Sequence, residues 1–328
     1  MLRVESLRVE TFFRRKSTKK NGRIGIKDGE IRKKQAKTNN FQLSTFIFQL
    51  FAVSLQPQSS AQDVRIKEII AALEQFAPLP LQESYDNAGL QCGLTEAEAS
   101  GALLCLDVTE EVLREAIDLG CNLVISHHPL LFHGLKQVCD ADLVQRSLRL
   151  AIQNDLCIYS AHTNLDNAED GVNFRMAEKL GLIDVQLLHP RTVQVGARQL
   201  KCGSGVMGYL PEGEDSLAFL QRVKQAFGVE ALQHNQLLER PIQSVVICGG
   251  AGDFMLAEAM SAEADAFLTG EMHYHTWFGH EQEIQIAVLG HYESEQYTRE
   301  IFREIIERTA PLLPLYDTEV RTNPIHIL

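Results

Sequence analysis

The chain has 328 residues, 45% hydrophobic and 23% charged, which is enough for one large globular domain or two ordinary ones. Its formal net charge of -12 is unevenly spread: residues 1–62 hold 13 Lys or Arg against 4 Asp or Glu, so of the 31 basic and 43 acidic residues, 18 and 39 remain for 63–328. An acidic body argues against bulk nucleic-acid binding, which needs positive surface to displace counterions.

Residues 1–62 are expected to lie outside the folded unit. Arg14-Arg-Lys-Ser-Thr-Lys-Lys20 and Arg32-Lys-Lys34 are charge runs without apolar periodicity, and Phe41–Gln62 carries no charge. The apolar stretch Phe46–Val53 is too short to span a bilayer. With Ser59-Ser-Ala61 behind it, that stretch imitates a signal-peptide core, so a targeting segment is the alternative to a misassigned start near Val64.

From residue 63 the chain alternates helical and strand patterns. Ile66, Ile69, Ile70, Leu73 and Phe76 stand at helical spacing. Ala102–Leu106 reads as a buried strand, and Thr109 as the N-cap of a helix closed by Gly120. Then follow a strand at Leu123–Ser126, a helix over Asp142–Asn154, a strand at Leu156–Ser160 and a helix over Gly171–Leu180 closed by Gly181. A helix over Glu214–Phe227 and a strand at Ser244–Cys248 lead to Gly249-Gly-Ala-Gly252. That glycine run reads as a tight turn, or alternatively as a donor of amides to a phosphate. Phe254–Ala262 is helical, Ala266–Thr269 and Ile284–Leu289 are strands, and Glu293–Arg308 is one long last helix. This rhythm predicts an α/β fold of largely parallel sheets with flanking helices. The stretch 186–243 differs in texture and is a candidate separate lobe of the 63–328 unit.

Seven cysteines, none in a CxxC pair and most within apolar runs, are expected to be buried thiols in a reducing cytoplasm. The Gly249–Gly252 turn lacks the GxGxxG pattern and GxxxxGK[ST] occurs nowhere, so a standard nucleotide-binding loop is not supported.

The chemistry collects where strands end. His127 and His128 follow one apolar run, His162 and Asp166 a second, and His291 with Glu295 a third. In open α/β sheets, ligands gather at the carboxyl ends of strands. Imidazoles and carboxylates without sulfur suit Zn, Fe, Mn, Ni or Co. His127, His128, Asp166, His291 and Glu295 are too many ligands for one tetrahedral zinc, but suit two cations sharing a carboxylate. Each piece alone has an ordinary reading: a core histidine pair, a solvated i,i+4 pair, a turn-capping aspartate.

Tyr85-Asp-Asn-Ala-Gly89, Ser126-His-His-Pro129, Ala161-His-Thr-Asn-Leu-Asp166, Thr269-Gly-Glu271 with His275, and Gly290-His-Tyr-Glu-Ser-Glu295 occur in that order. In these blocks, residues 64–328 resemble the GTP cyclohydrolase I type 2 homologue family, also called Nif-three-like. The resemblance implies a two-lobed α/β protein of Nif-three-like fold, assembled as a toroidal homohexamer, with a dinuclear metal centre on His127, His128, Asp166, His291 and Glu295. The chain is too short between Pro190 and Pro241 for the extra domain of some members. Glu271 and His275 are expected to serve as general acid/base or substrate contacts beside the metals, and His162 to orient Asp166 or line the pocket. The implied function is hydrolytic opening of GTP or a related small-molecule substrate by metal-bound hydroxide. A non-catalytic metal-binding scaffold or regulatory protein is the alternative, and no membrane partner is expected.

Overall fold

The computed structural model describes residues 64–328, so the expectations for residues 1–62 lie outside the described residues. The elements of the first half are α1 (Ile66–Phe76), β1 (Gly89–Cys92), β2 (Ala102–Cys105), α2 (Glu110–Asp118), β3 (Leu123–Ser126), α3 (Leu143–Gln153), β4 (Cys157–Ser160), the single turn α4 (Thr163–Asp166) and α5 (Val172–Leu180). There follow β5 (Ile183–Leu187), β6 (Arg191–Val195), β7 (Arg198–Cys202), β8 (Val206–Glu214), α6 (Ser216–Phe227), β9 (Gln233–His234), β10 (Ile242–Cys248), α7 (Leu256–Ser261), β11 (Ala266–Thr269), β12 (Gln285–Val288), α8 (His291–Glu295), α9 (Thr298–Thr309) and β13 (Leu315–Asp317).

Two sheets carry the fold. The first has the order β1-β4-β3-β2-β13 and is parallel except for β1, which runs antiparallel to β4. The second has the order β5-β8-β10-β11-β12-β9, and only β10–β11 and β11–β12 are parallel. The parallel rhythm therefore holds for the first sheet and for the centre of the second, while antiparallel strands complete the second sheet's edges.

The central strands β2, β3, β4, β11 and β12 are buried along their whole length, as expected of parallel strands covered on both faces. Alternate residues separate two cores. Leu104, Ile125 and Tyr159 pack with α1 and α9, while Leu103, Val124 and Ile158 pack with α2 and α3. Each fully buried Ile, Leu or Val at these positions contributes about 1.5–3 kcal/mol relative to exposure. The second sheet is covered by α5 and α6 on one face and α7 on the other.

Residues 186–243 serve both halves. β8 pairs with β10 inside the second sheet, whereas Val193, Leu200 and Cys202 of the β6–β7 hairpin pack against the first sheet's core. The last helix is not continuous: α8 ends at Glu295, and α9 begins at Thr298. After β12, the chain leaves the second sheet through α8, packs α9 on the first sheet and adds β13 beside β2. This return path brings a helix from the second sheet to the carboxyl edge of the first. All seven cysteines are free thiols, five of them buried. Among the described residues, no helix is long and apolar enough to cross a membrane.

Candidate metal centre

The carboxyl ends of β2, β3, β4, β11 and β12 deliver Asp107, His127 and His128, His162, Glu271 and His291 respectively. Four imidazoles are each held at Nδ1 by an oxygen acceptor. His127 bonds the Ala161 carbonyl at 2.8 Å, His128 the Asp107 carboxylate at 2.7 Å, His162 the Asp86 carboxylate at 2.7 Å and His291 the Glu271 carboxylate at 2.9 Å. Because carbonyls and carboxylates only accept, Nδ1 carries the proton in each pair, and Nε2 is left for other work. This is how imidazoles are oriented toward cations.

Glu295 lies among these rings. Its Oε2 is 2.9 Å from His128 Nε2, 3.0 Å from His291 Nε2 and 3.6 Å from His127 Nε2. His127 Nε2 is also 3.6 Å from Asp166 Oδ1, and it is buried without a hydrogen-bond partner. An orphaned buried nitrogen is costly unless something occupies it. The Nε2 atoms of His128 and His291 face each other at 3.3 Å. Both arrangements fit a cation. Three groups of potential ligand atoms lie within 4.8 Å of one another: His128, His291 and Glu295; His127, Asp166 and Glu295; and His127, His128 and His162. The first two share Glu295.

The charges respond to this crowding. Burial opposes ionisation of Glu295, yet the facing imidazoles of His127, His128 and His291 hold its carboxyl well below the usual range. Burial, reinforced by the charge of Glu295, pushes Asp166 up to about 8. Burial also opposes the charge on His128, but Asp107 and Glu295 outweigh it and raise the imidazole to about 10. In the same way, Glu295 overcomes burial at His291 and raises it to about 9. Burial, then the charges of Asp166 and Glu295, raise the Cys248 thiol well above its ordinary value, and it bonds the Ser204 carbonyl. A protonated thiol beside the cluster offers no thiolate ligand.

The backbone makes room for these side chains. Gly250 has φ +59°, and a Cβ there would stand 2.1 Å from Glu295 Oε1. The amides of Gly249 and Gly250 already donate to Asn173 Oδ1 and Ser294 Oγ, so this turn encloses the glutamate rather than offering free amides to a phosphate. Gly290, at φ +114°, starts α8 where a Cβ would meet Glu293 at 2.3 Å.

The five expected ligands thus converge, and Glu271 joins them through His291. His275 does not. It is exposed between Tyr274 and Phe278 and makes no hydrogen bond or ion pair among the described residues. His162 bonds Asp86 rather than Asp166, and its ring centroid lies 5.2 Å from that of His127. Asp86 also accepts from the Thr163 amide at 3.0 Å, and the His162 and Thr163 bonds outweigh its burial, holding its carboxyl at about 2. Sequence reasoning missed Asp107. Its position directly after the β2 run, matching that of the histidines after β3, was the available signal.

The Duf34/NIF3 (NGG1p interacting factor 3) family model matches residues 64–324. A Clostridium perfringens protein named GTP cyclohydrolase 1 type 2 homolog is 33% identical over 233 residues, covering 71% of this chain and 87% of the relative. A Clostridium acetobutylicum protein of the same name is 31% identical over 234 residues, covering 71% and 85%. The crystal structure of Staphylococcus aureus hypothetical protein SA1388 superposes with a TM-score of 0.73 at 24% identity, covering 80% of this chain and 99% of that one. That of a Bacillus cereus protein related to NIF3 also gives 0.73 at 24% identity, covering 81% and 100%. Together with the two-sheet architecture, these matches establish that the chain belongs to the Duf34/NIF3 family.

Proposed function

We propose that this protein is a hydrolase dependent on two divalent cations, held by His127, His128, Asp166, His291 and Glu295. The observation that carries the reading is the shared carboxylate: Glu295 is common to two ligand-capable groups, and His127 Nε2 is buried without a partner between Glu295 and Asp166. Zn, Fe, Mn, Ni and Co suit this nitrogen–oxygen set. When bound, such a pair supplies an activated water and Lewis acidity.

The chain's own groups supply the rest. Glu271 is 55% exposed at its side chain and bonds His291, so it can exchange protons with solvent while touching the cluster. His275, exposed four residues further along and outside the cluster, is proposed as a substrate contact. The buried strand ends behind His127 exclude water from the closed side. The names of the relatives make GTP the first substrate to test, with hydrolytic ring opening as the reaction. A homohexamer is the proposed assembly.

The test uses metal-loaded protein with GTP, phosphodiesters and cyclic amides, and His128→Ala as control. Turnover that vanishes in the variant is the expected result. Full metal occupancy without turnover on any member of the panel would overturn the hydrolase and favour a metal-binding scaffold.

A further inference from the structure

After β13, the segment 318–323 has neither helix nor strand, yet it is tied down along its length. The Thr318 amide donates to the Leu104 carbonyl at 2.9 Å, and the Glu319 amide to Glu115 Oε1 at 2.8 Å. Val320 packs against the core beneath α2 and α3. β13 runs parallel to β2, so the segment emerges at the same carboxyl edge as Asp107. There the Thr322 hydroxyl donates to Asp107 Oδ2 at 2.5 Å, while Asp107 Oδ1 receives His128 Nδ1 at 2.7 Å. One residue later, buried Asn323 donates to Glu293 Oε1 at 2.7 Å. Glu293 stands on α8 between His291 and Glu295. Adjacent residues of one strap thus reach both sides of the cluster: the histidine contributed by the first sheet and the helix arriving from the second.

We propose that Thr322 and Asn323 are positioning residues for the cation centre, Thr322 aiming His128 through Asp107 and Asn323 fixing α8 through Glu293. Without the Thr322 bond, Asp107 is held only by His128 itself, and the direction of His128 is less tightly fixed. Without the Asn323 bond, the start of α8 loses its side-chain tether at Glu293 and keeps the backbone bond from the Gly290 amide to the Gly270 carbonyl. The inference rests on the metal-centre reading above.

The test measures Zn affinity of the full chain, stripped of metal, by competition with a chromogenic chelator, together with the visible spectrum of the Co(II) form. Thr322→Val keeps the shape and removes the hydroxyl. It is expected to weaken Zn binding about 10-fold, the lower end for residues that orient ligands, and to alter the Co(II) bands. Thr322→Ala is expected to do the same, and Thr322→Ser to restore both. On an Asp107→Asn background, Thr322→Val should add little, because the two act as one unit. Asn323→Leu should weaken binding in the same direction, with unfolding of the stripped protein as the folding control. Affinity and spectrum unchanged in Thr322→Val and Thr322→Ala would overturn the proposal. An unaltered chain that binds no cation would instead overturn the metal centre, and this inference with it.

Discussion

The two ends of the histidine cluster are built differently. His127 has a fully buried side chain and is held by a backbone carbonyl. His291 is 31% exposed and is held by the carboxylate of Glu271, itself 55% exposed. Backbone atoms of a packed sheet can hardly move, whereas an exposed glutamate can rotate away at little cost. Under the proposed function, the closed end would hold an ion permanently and the open end would admit a substrate. The first sheet supplies the rigid half, and the helix leaving the second sheet supplies the adjustable half.

That contrast can be attacked at its centre first. Glu295→Gln removes the carboxylate common to both ends and should weaken cation binding at least about 100-fold, more than the loss of any orienting residue, as read by metal analysis after gel filtration. Retained stoichiometry would show that the ends are independent. Gly250→Ala comes next. Its Cβ would collide with Glu295 and sit at positive φ, so a loss of about 1–3 kcal/mol in chemical unfolding is expected from the backbone alone, accompanied by lost metal.

The ends should then separate under equivalent truncations. In the metal-free protein, His127→Ala leaves a cavity and strands the Ala161 carbonyl, which should lower stability by about 2–4 kcal/mol. Compared at pH 10, where the stabilising proton of His291 is lost, His291→Ala at the open end should cost under about 1 kcal/mol while still weakening metal binding. Equal losses in denaturant titrations would erase the distinction. Glu271→Gln should have the smallest effect on metal content, and its effect on turnover should exceed its effect on occupancy.

Protonation sharpens the same picture. The folded values of His128 and His291, about 10 and 9, lie above the ordinary imidazole value of 6.5. Their bound protons stabilise the metal-free fold fully below the unfolded value, and that stabilisation is lost as pH rises through 9–10. Asp166, raised to about 8, acts in the same direction, since its buried carboxyl favours the protonated form. The metal-free protein should therefore melt at lower temperature as pH rises from 7 to 10, while cation affinity rises because fewer protons must be displaced. Calorimetry of metal loading at pH 7 in buffers of different ionisation enthalpy should register proton release. Loading without proton release would contradict the assignment.

Much of this architecture was legible because the parallel strands are short, continuous apolar runs that end at polar residues. Leu123–Ser126 and Ala266–Thr269 were located to the residue, and the histidines after Ser126 marked the site. Cap chemistry placed α2 through Thr109 and ended α5 at Gly181. The β6–β7 hairpin was passed over, although Arg191–Val195 and Arg198–Cys202 alternate around Gly196, because both strands are largely exposed and polar. The break between α8 and α9 carries no proline or glycine; it arises from tertiary packing that directs Glu295 to the cluster and Ile301 to the first core. β13 has three residues, too few for any periodicity, so the strap that follows it and its reach to Asp107 could not be read.

The central claim is that two cations share Glu295. Crystals of the metal-loaded protein, measured by anomalous scattering at the metal edge, test it directly. Two peaks are expected flanking the Glu295 carboxylate, one beside His127 and Asp166 and the other beside His128 and His291. No peak among these side chains, or an ion bound elsewhere with Glu295 left unligated, would contradict it.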